Sequence, residues 1–325
     1  MPELPIRIAT RGSALALAQA NMIAAQCRAA IPGLDFELKI IKTTGDKLQK
    51  ASMAKTDPSL PKGLFTKELE VALLEGEADL AVHSLKDLPT DLPNGLILAA
   101  TPERADVRDV LIYRDERMQR QGVLRGFKPH TLIKDFPNNA TIATSSTRRR
   151  AQLQLVRPDL NVVEIRGNVA TRMQKVADKA ELDATVLALA GISRLNFTIS
   201  PDGKLHGDAV PHGLLATILD VEVMLPCVGQ AAIGIEARAG DERILKICER
   251  LNHYETFQAV TAERAFLNEM GGGCLSPVAA FAEISSGEIS MRAVSFRDGP
   301  VRRADGKRAV REALQLGEDL AAKLK

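Results

Sequence analysis

Residues Ala81-Val82-His83-Ser84-Leu85-Lys86-Asp87-Leu88-Pro89 end an apolar run with a cation and a carboxylate side by side. The run over 79–82 is short, follows a helix-like stretch over 66–75 and is stopped by Pro89, so it reads as a buried strand opening onto a loop. In open α/β sheets ligands bind at the carboxyl ends of strands, which makes Asp87 the candidate catalytic group with Lys86 beside it. The plainer alternative is a surface ion pair. His83 could act as a base, although one His on an apolar strand reads first as buried structure.

The densest charge lies over 141–175, where Arg148, Arg149, Arg150, Arg157, Arg166, Arg172 and Lys175 stand against only Asp159 and Glu164, a local excess of five positives. Arginine is the side chain suited to bidentate carboxylate binding. Arg150, Arg157 and Lys175 read as a solvated helix face, whereas Arg148, Arg149, Arg166 and Arg172 fall at strand-to-helix junctions, where a cleft should lie. A polyanion bearing several carboxylates would account for them, and a nucleic-acid backbone is the alternative. Cys274 follows three glycines and precedes Leu275-Ser276-Pro277, on a turn where a thiol could be reached from a cleft, while Cys27 and Cys248 sit inside helical patterns as inert apolar groups. The chain has no GxSxG, HExxH, P-loop or dinucleotide fingerprint, so hydrolase, zincin and NTPase chemistry lack a starting residue.

At 325 residues, 45% hydrophobic and 26% charged, the chain is of ordinary globular composition and large enough for two or three domains. The net charge of +2 provides no global field for nucleic acid, and 3% aromatics without Trp argue against base-stacking platforms. No segment approaches the roughly 20 apolar residues of a membrane span, and the N-terminus passes straight into a strand pattern, which points to a cytoplasmic protein. The four cysteines show no CxxC spacing, so neither a metal site nor a disulfide framework is expected.

Elements able to position these groups follow from periodicity. A strand over 6–10 leads through Arg11-Gly12-Ser13 into a helix over 14–29 with Ser13 as N-cap, and a second strand covers 36–40. After a long polar stretch, Thr66 caps a helix over 67–75 that Gly76 stops, giving a βαβα beginning. The middle repeats that plan, with strands over 141–144, 162–165 and 184–189 and helices over 147–156 and 169–179. Residues 7–15 can be laid beside 141–149, each a strand, a hydroxyl-rich turn and a helix start, so two helix N-termini would present free N–H groups to one cleft. Residues 113–139 and 201–213 read as connecting loops. A helix over 256–270, strands over 278–284 and 288–296 and a last helix from about residue 309 form a separate α+β unit.

Five motifs in order, KGLFTKELE, AVHSLKDLP, TSSTRRRAQL, RGNVATR and GGGCLSP, closely resemble those of the porphobilinogen deaminases (hydroxymethylbilane synthases), and the resemblance spans nearly the whole chain. It implies two periplasmic-binding-protein-like α/β domains flanking a cleft (1–105 with 230–250, and 106–229) plus a small C-terminal α+β domain (251–325). It implies a transferase of tetrapyrrole and heme biosynthesis that joins four porphobilinogen molecules with release of ammonia, on a dipyrromethane cofactor held by a thioether to Cys274. Asp87 would then hold pyrrole N–H groups and steer protons. Cofactor contacts would come from Lys86, Asp87, Ser145, Ser146, Arg148 and Arg149. Arg11, Ser13, Lys62, Arg166, Arg172 and Arg194 would bind acetate and propionate groups, and Phe65 would pack over the pyrroles. The expected partner is porphobilinogen, with no nucleic acid or membrane, and the expected state a monomer. Two departures stand out: the family's short Gly-Gly-Lys-Gly turn is replaced by a longer stretch over 55–62 with two prolines, and its Gly-Gln-Gly is Gly229-Gln230-Ala231 beside an expected hinge. From the residues alone, a two-domain binding protein for a polycarboxylate and a nucleic-acid module remain open.

Overall fold

The computed structural model describes residues 5–45, 63–118, 125–273, 276–297 and 299–325. The stretch over 55–62, with Lys62, and the expected thioether residue Cys274 lie outside them. In the first sheet β1 (Ile6–Arg11), β2 (Phe36–Ile41) and β3 (Leu80–Ser84) run parallel in the order β2-β1-β3, with helices α1 (Ala14–Ala30) and α2 (Lys67–Leu74) as crossovers. The sheet continues through β12 (Ile233–Arg238), antiparallel to β3, and ends on β4 (Leu96–Ala100).

The second sheet repeats this plan. β6 (Thr141–Ala143), β7 (Asn161–Val163) and β8 (Ala184–Ala188) are parallel in the order β7-β6-β8, followed by antiparallel β5 (Asp109–Arg114) and then β11 (Leu214–Ile218). Helices α3 (Thr147–Val156), α4 (Val169–Asp178) and the short α5 (Leu189–Ser193) complete it. In each sheet the fourth strand is the one that follows a crossing between the two halves, β5 after the first and β12 after the second. The crossings therefore end inside the sheets, next to the strands whose carboxyl ends carry the candidate groups. Helix α6 (Glu242–Leu251) packs with α1 under the first sheet, and a third unit lays α7 (Tyr254–Glu269) and α8 (Ala313–Leu324) over an antiparallel sheet of β13 (Val278–Ser285), β14 (Glu288–Ser295) and β15 (Arg302–Ala309). The α/β halves and the small α+β unit are those expected.

Several expectations are corrected. Residues 113–139 are no plain connector: Tyr113, the last residue but one of β5, is fully buried, its ring edge-on to Phe127 and Phe136 at 6.0 and 5.9 Å and its hydroxyl 2.7 Å from Thr217. The stretch over 201–213 pairs Leu205–His206 (β10) with Thr198–Ile199 (β9). The last helix starts at Ala313 because residues 302–309 form an edge strand whose charged side chains alternate with partly buried positions. Thr66 holds the N-cap position of α2, but its hydroxyl makes no cap bond.

Candidate active site

The Asp87 turn is built by apolar anchors. β3 is buried through His83 and passes into a single 3-10 turn, Leu85–Asp87, whose Leu85 joins Leu88, Ala232 and Val260 in a small buried cluster. Fixing Leu85 and Leu88 inward leaves Lys86 and Asp87 half-buried at the rim. The Leu85 N–H donates to Ala232 O at 3.1 Å, and Arg264 of α7 donates to the carbonyls of Leu88, Pro89 and Thr90 at 3.1, 2.7 and 3.2 Å. The turn is thus held from the second crossing on one side and from the third unit on the other. Ahead of it the Ser84 hydroxyl bonds Gln19 of α1 at 2.9 Å, and His83 pairs with buried Glu236 of β12 at 3.0 Å, which gives His83 the structural role. Burial first, with Glu236 adding to it, raises the pKa of neighbouring Glu70.

Around this turn the cations divide by surroundings. The Arg11 guanidinium lies 4.2 Å over the Phe65 ring, so Phe65 covers the end of β1, and Ser13 caps α1 through the Ala16 N–H. In the second half Ser146, not the Thr147 that the 7–15 alignment pairs with Ser13, caps α3. The Ser145 hydroxyl donates to Ile165 O at 2.6 Å and clips β6 to the turn after β7. Arg148 and Arg149, expected to face an open cleft, are 3% and 6% exposed and converge on Asp109: Arg148 Nη2 donates to Oδ2 and Arg149 Nη2 to Oδ1, both at 2.8 Å. Burial pushes the Asp109 carboxyl up, and the two guanidinium groups more than offset it, holding it at about 2. Sequence spacing sets the arginines against Asp159 and Glu164 alone, whereas Asp109, 39 and 40 positions away, meets them only in the fold.

The remaining candidates vary. Arg172 donates to Gly167 O at 2.7 Å and Arg194 to Ala231 O, and among the described residues neither has a carboxylate. Burial, with Arg149 nearby, lowers the pKa of Arg172, and burial alone takes Arg194 to about 10. Arg166 is exposed, 3.6 Å from Glu164. Arg150 reaches Val162 O, and Arg157 pairs with Asp159 at 2.6 Å. Burial pushes the Cys27 and Cys248 thiols up to about 11 and 12, as inert core groups require.

One segment brings these groups together. Gly229 packs against the Lys86 backbone nitrogen, Gln230 Nε2 donates to Asp109 Oδ1 at 3.0 Å, Ala231 O takes the Arg194 guanidinium, and Ala232 O holds the Asp87 turn. A family model described as the dipyromethane cofactor binding domain of porphobilinogen deaminase matches residues 6–246, and one for the C-terminal domain of porphobilinogen deaminase matches 257–325. The chain belongs to the porphobilinogen deaminase family. A porphobilinogen deaminase of Syntrophomonas wolfei is 42% identical over 98% of this chain and 94% of its own, and one of Chlorobium chlorochromatii 43% over 94% and 86%. The reduced OxyR regulatory domain from Pseudomonas aeruginosa is similar at 12% identity and a TM-score of 0.40, over 76% of this chain and 96% of that one.

The porphobilinogen deaminases are transferases built around a dipyrromethane, and the residues present suit such a group. Two buried guanidinium groups share one carboxylate, and the Nε atoms of both Arg148 and Arg149 are buried without a hydrogen-bond partner. A ligand carboxylate would supply the missing charge. On the two sides of residues 274–275, Gly271 takes a φ of +62° after α7, and Ala280 N of β13 donates to Pro226 O at 3.2 Å.

Proposed function

We propose that this chain joins four porphobilinogen units head to tail, with loss of ammonia at each addition, and releases hydroxymethylbilane from a dipyrromethane held by a thioether to Cys274. Family membership supports the reading. The observation that carries it is the Asp87 turn, a half-buried carboxylate clamped at both ends beside a crossing that also holds Arg194 and the Arg148–Arg149 pair.

Lys86, Asp87, Ser145, Ser146, Arg148 and Arg149 would hold the dipyrromethane, which when bound supplies the free pyrrole carbon on which the product grows. Arg11, Ser13, Lys62, Arg166, Arg172 and Arg194 bind the acetate and propionate groups of incoming and added units, and Phe65 packs over the pyrrole while it covers Arg11. Asp87 accepts the pyrrole N–H. As the carbon–nitrogen bond breaks, positive charge spreads over the substrate's methylene carbon and ring, and the Asp87 carboxylate lowers its energy electrostatically. The same carboxylate moves protons between the pyrrole nitrogen and the departing amine.

The domain limits 1–105 with 230–250, 106–229 and 251–325 are supported by β12 and α6, which pack within the first half. We read the chain as a cytoplasmic monomer acting on a small molecule, without nucleic acid or membrane; the burial of Arg148 and Arg149 against Asp109 withdraws those two cations from any phosphate backbone.

Asp87→Asn tests the reading. It keeps the shape and removes the anion, so turnover of porphobilinogen should fall by on the order of 10² to 10⁴, roughly 3 to 5 kcal/mol of barrier, with an unchanged thermal midpoint. Turnover near the parent rate would refute the catalytic role, and loss of activity only through unfolding would make Asp87 a structural ion-pair partner.

A further inference from the structure

The Arg148–Arg149 pair owes its geometry to a residue that nothing in the local sequence marks. Asp109 opens β5 directly after the first crossing and is 0% exposed. Each guanidinium is held at two nitrogens: Arg148 by Asp109 Oδ2 at 2.8 Å and Leu225 O at 2.7 Å, Arg149 by Asp109 Oδ1 at 2.8 Å and Val186 O at 3.0 Å. Gln230, from the second crossing, donates to Asp109 Oδ1 at 3.0 Å and to Val107 O at 2.6 Å, and its own Oε1 lies 3.4 Å from Arg148 Nη2. One carboxylate is thereby tied to both crossings and to both arginines.

We propose that Asp109, steadied by Gln230, is the positioning residue that sets Arg148 and Arg149 as one rigid pair with a single uncompensated positive charge, shaped to take a carboxylate of the dipyrromethane. The proposal rests on the reading of Arg148 and Arg149 as cofactor-binding residues. Among the described residues two cations stand against one anion and leave a buried net charge, which is unfavourable until another anion completes it. Both orphaned Nε atoms belong to the same two side chains, so the unsatisfied donors and the unsatisfied charge coincide. A second acid beside Asp109 would close the charge balance and remove the attraction. A neutral residue there would free two buried guanidinium groups to find other geometries.

The experiment compares full-length Asp109→Asn, Asp109→Glu and Gln230→Met with Arg148→Gln and Arg149→Gln, reading the fraction of chains that carry the cofactor's added mass, the thermal midpoint, and kcat and KM for porphobilinogen. Asp109→Glu keeps the anion but moves it by one methylene, so it should recover most of the midpoint lost in Asp109→Asn while loading stays low. A misplacement on the order of 1 Å in a positioned site can cost ~10²-fold in rate, so loading should fall well below the parent fraction. Gln230→Met keeps both ion pairs and loosens their tether, so it should load less than the parent at an almost unchanged midpoint. A purely structural ion pair predicts the opposite: Asp109→Glu rescues midpoint and loading together, and that result overturns the proposal, as does normal loading in folded Asp109→Asn. Should Asp109→Asn fail to fold, the other two variants still decide. If Arg148→Gln and Arg149→Gln load poorly while Asp109→Glu and Gln230→Met load normally, this proposal alone fails. Normal loading in both arginine variants removes the underlying reading as well.

Discussion

Asp87 and Asp109 are the same chemical group in opposite surroundings. Asp87 was legible because its whole context is local: an apolar strand, a cation, a proline and a recognisable motif within a few residues. Asp109 was not, because its partners lie 39 and 40 positions away and only the sheet order brings β5 and α3 together. That separation makes its titration informative. The Asp109 carboxyl sits at about 2 against an ordinary 3.8, so its contribution to stability is fully present above the unfolded value and is lost as pH falls through the folded one. Acid unfolding should steepen across that window, and Asp109→Asn should flatten it; an unchanged slope would mean that the ion pairs add nothing to folding. At the same scale Arg150 differs from its neighbours, since among the described residues its guanidinium reaches only Val162 O. Arg150→Gln should load cofactor normally under salt conditions in which Arg148→Gln and Arg149→Gln do not. Equal behaviour of all three would return the cluster to a diffuse patch.

Helix α3 matched its expected limits because a hydroxyl N-cap and an uninterrupted run of helix formers carry their own signal. β5 and β15 were missed for opposite reasons. β5 is buried at every position and so lacks the alternation that marks a half-exposed strand; its Asp109 is held in buried ion pairs and its Arg114 donates to the buried carbonyls of Val176 and Leu182. β15 is a charged edge strand, the kind of sequence that discourages further pairing, and its Gly306 lets Leu316 and Leu320 of α8 approach the sheet. The crossing at Gly229-Gln230-Ala231 tests an element whose departure from the family was visible beforehand. Both Gly229 and Ala231 take a φ of +68°. An alanine there bears a cost of roughly 1 to 2 kcal/mol that glycine avoids, against a glycine entropy cost of roughly 0.5 to 1 kcal/mol. Ala231→Gly should therefore raise the thermal midpoint slightly, and a clear fall would show that the left-handed backbone is relaxed by its Arg194 contact.

At the scale of the whole molecule the three units meet on one buried carboxylate. Glu263 of α7 accepts Arg104 Nη1 and Nη2 at 2.7 and 3.0 Å, the Gly229 N–H at 2.8 Å and the Ala282 N–H at 3.0 Å. Arg104 belongs to the first crossing, Gly229 to the second, and Ala282 to β13, so this acid joins both connections between the α/β halves to the two elements that flank Cys274. Removing it should be felt far from its own helix. Glu263→Gln leaves the Arg104 guanidinium buried without its anion, a change that typically costs roughly 3 to 5 kcal/mol, whereas replacing both partners by apolar residues of similar volume is often neutral. A double-mutant cycle with Arg104→Met and Glu263→Leu, followed by denaturant unfolding, separates the two cases. The double variant should be more stable than either single one, yet it should load less cofactor than the parent, because the stems around Cys274 would no longer be tied to the crossing that holds the Asp87 turn. If the double variant matches the parent in stability and in loading, the carboxylate is a replaceable packing element and the three units are positioned by their apolar contacts alone.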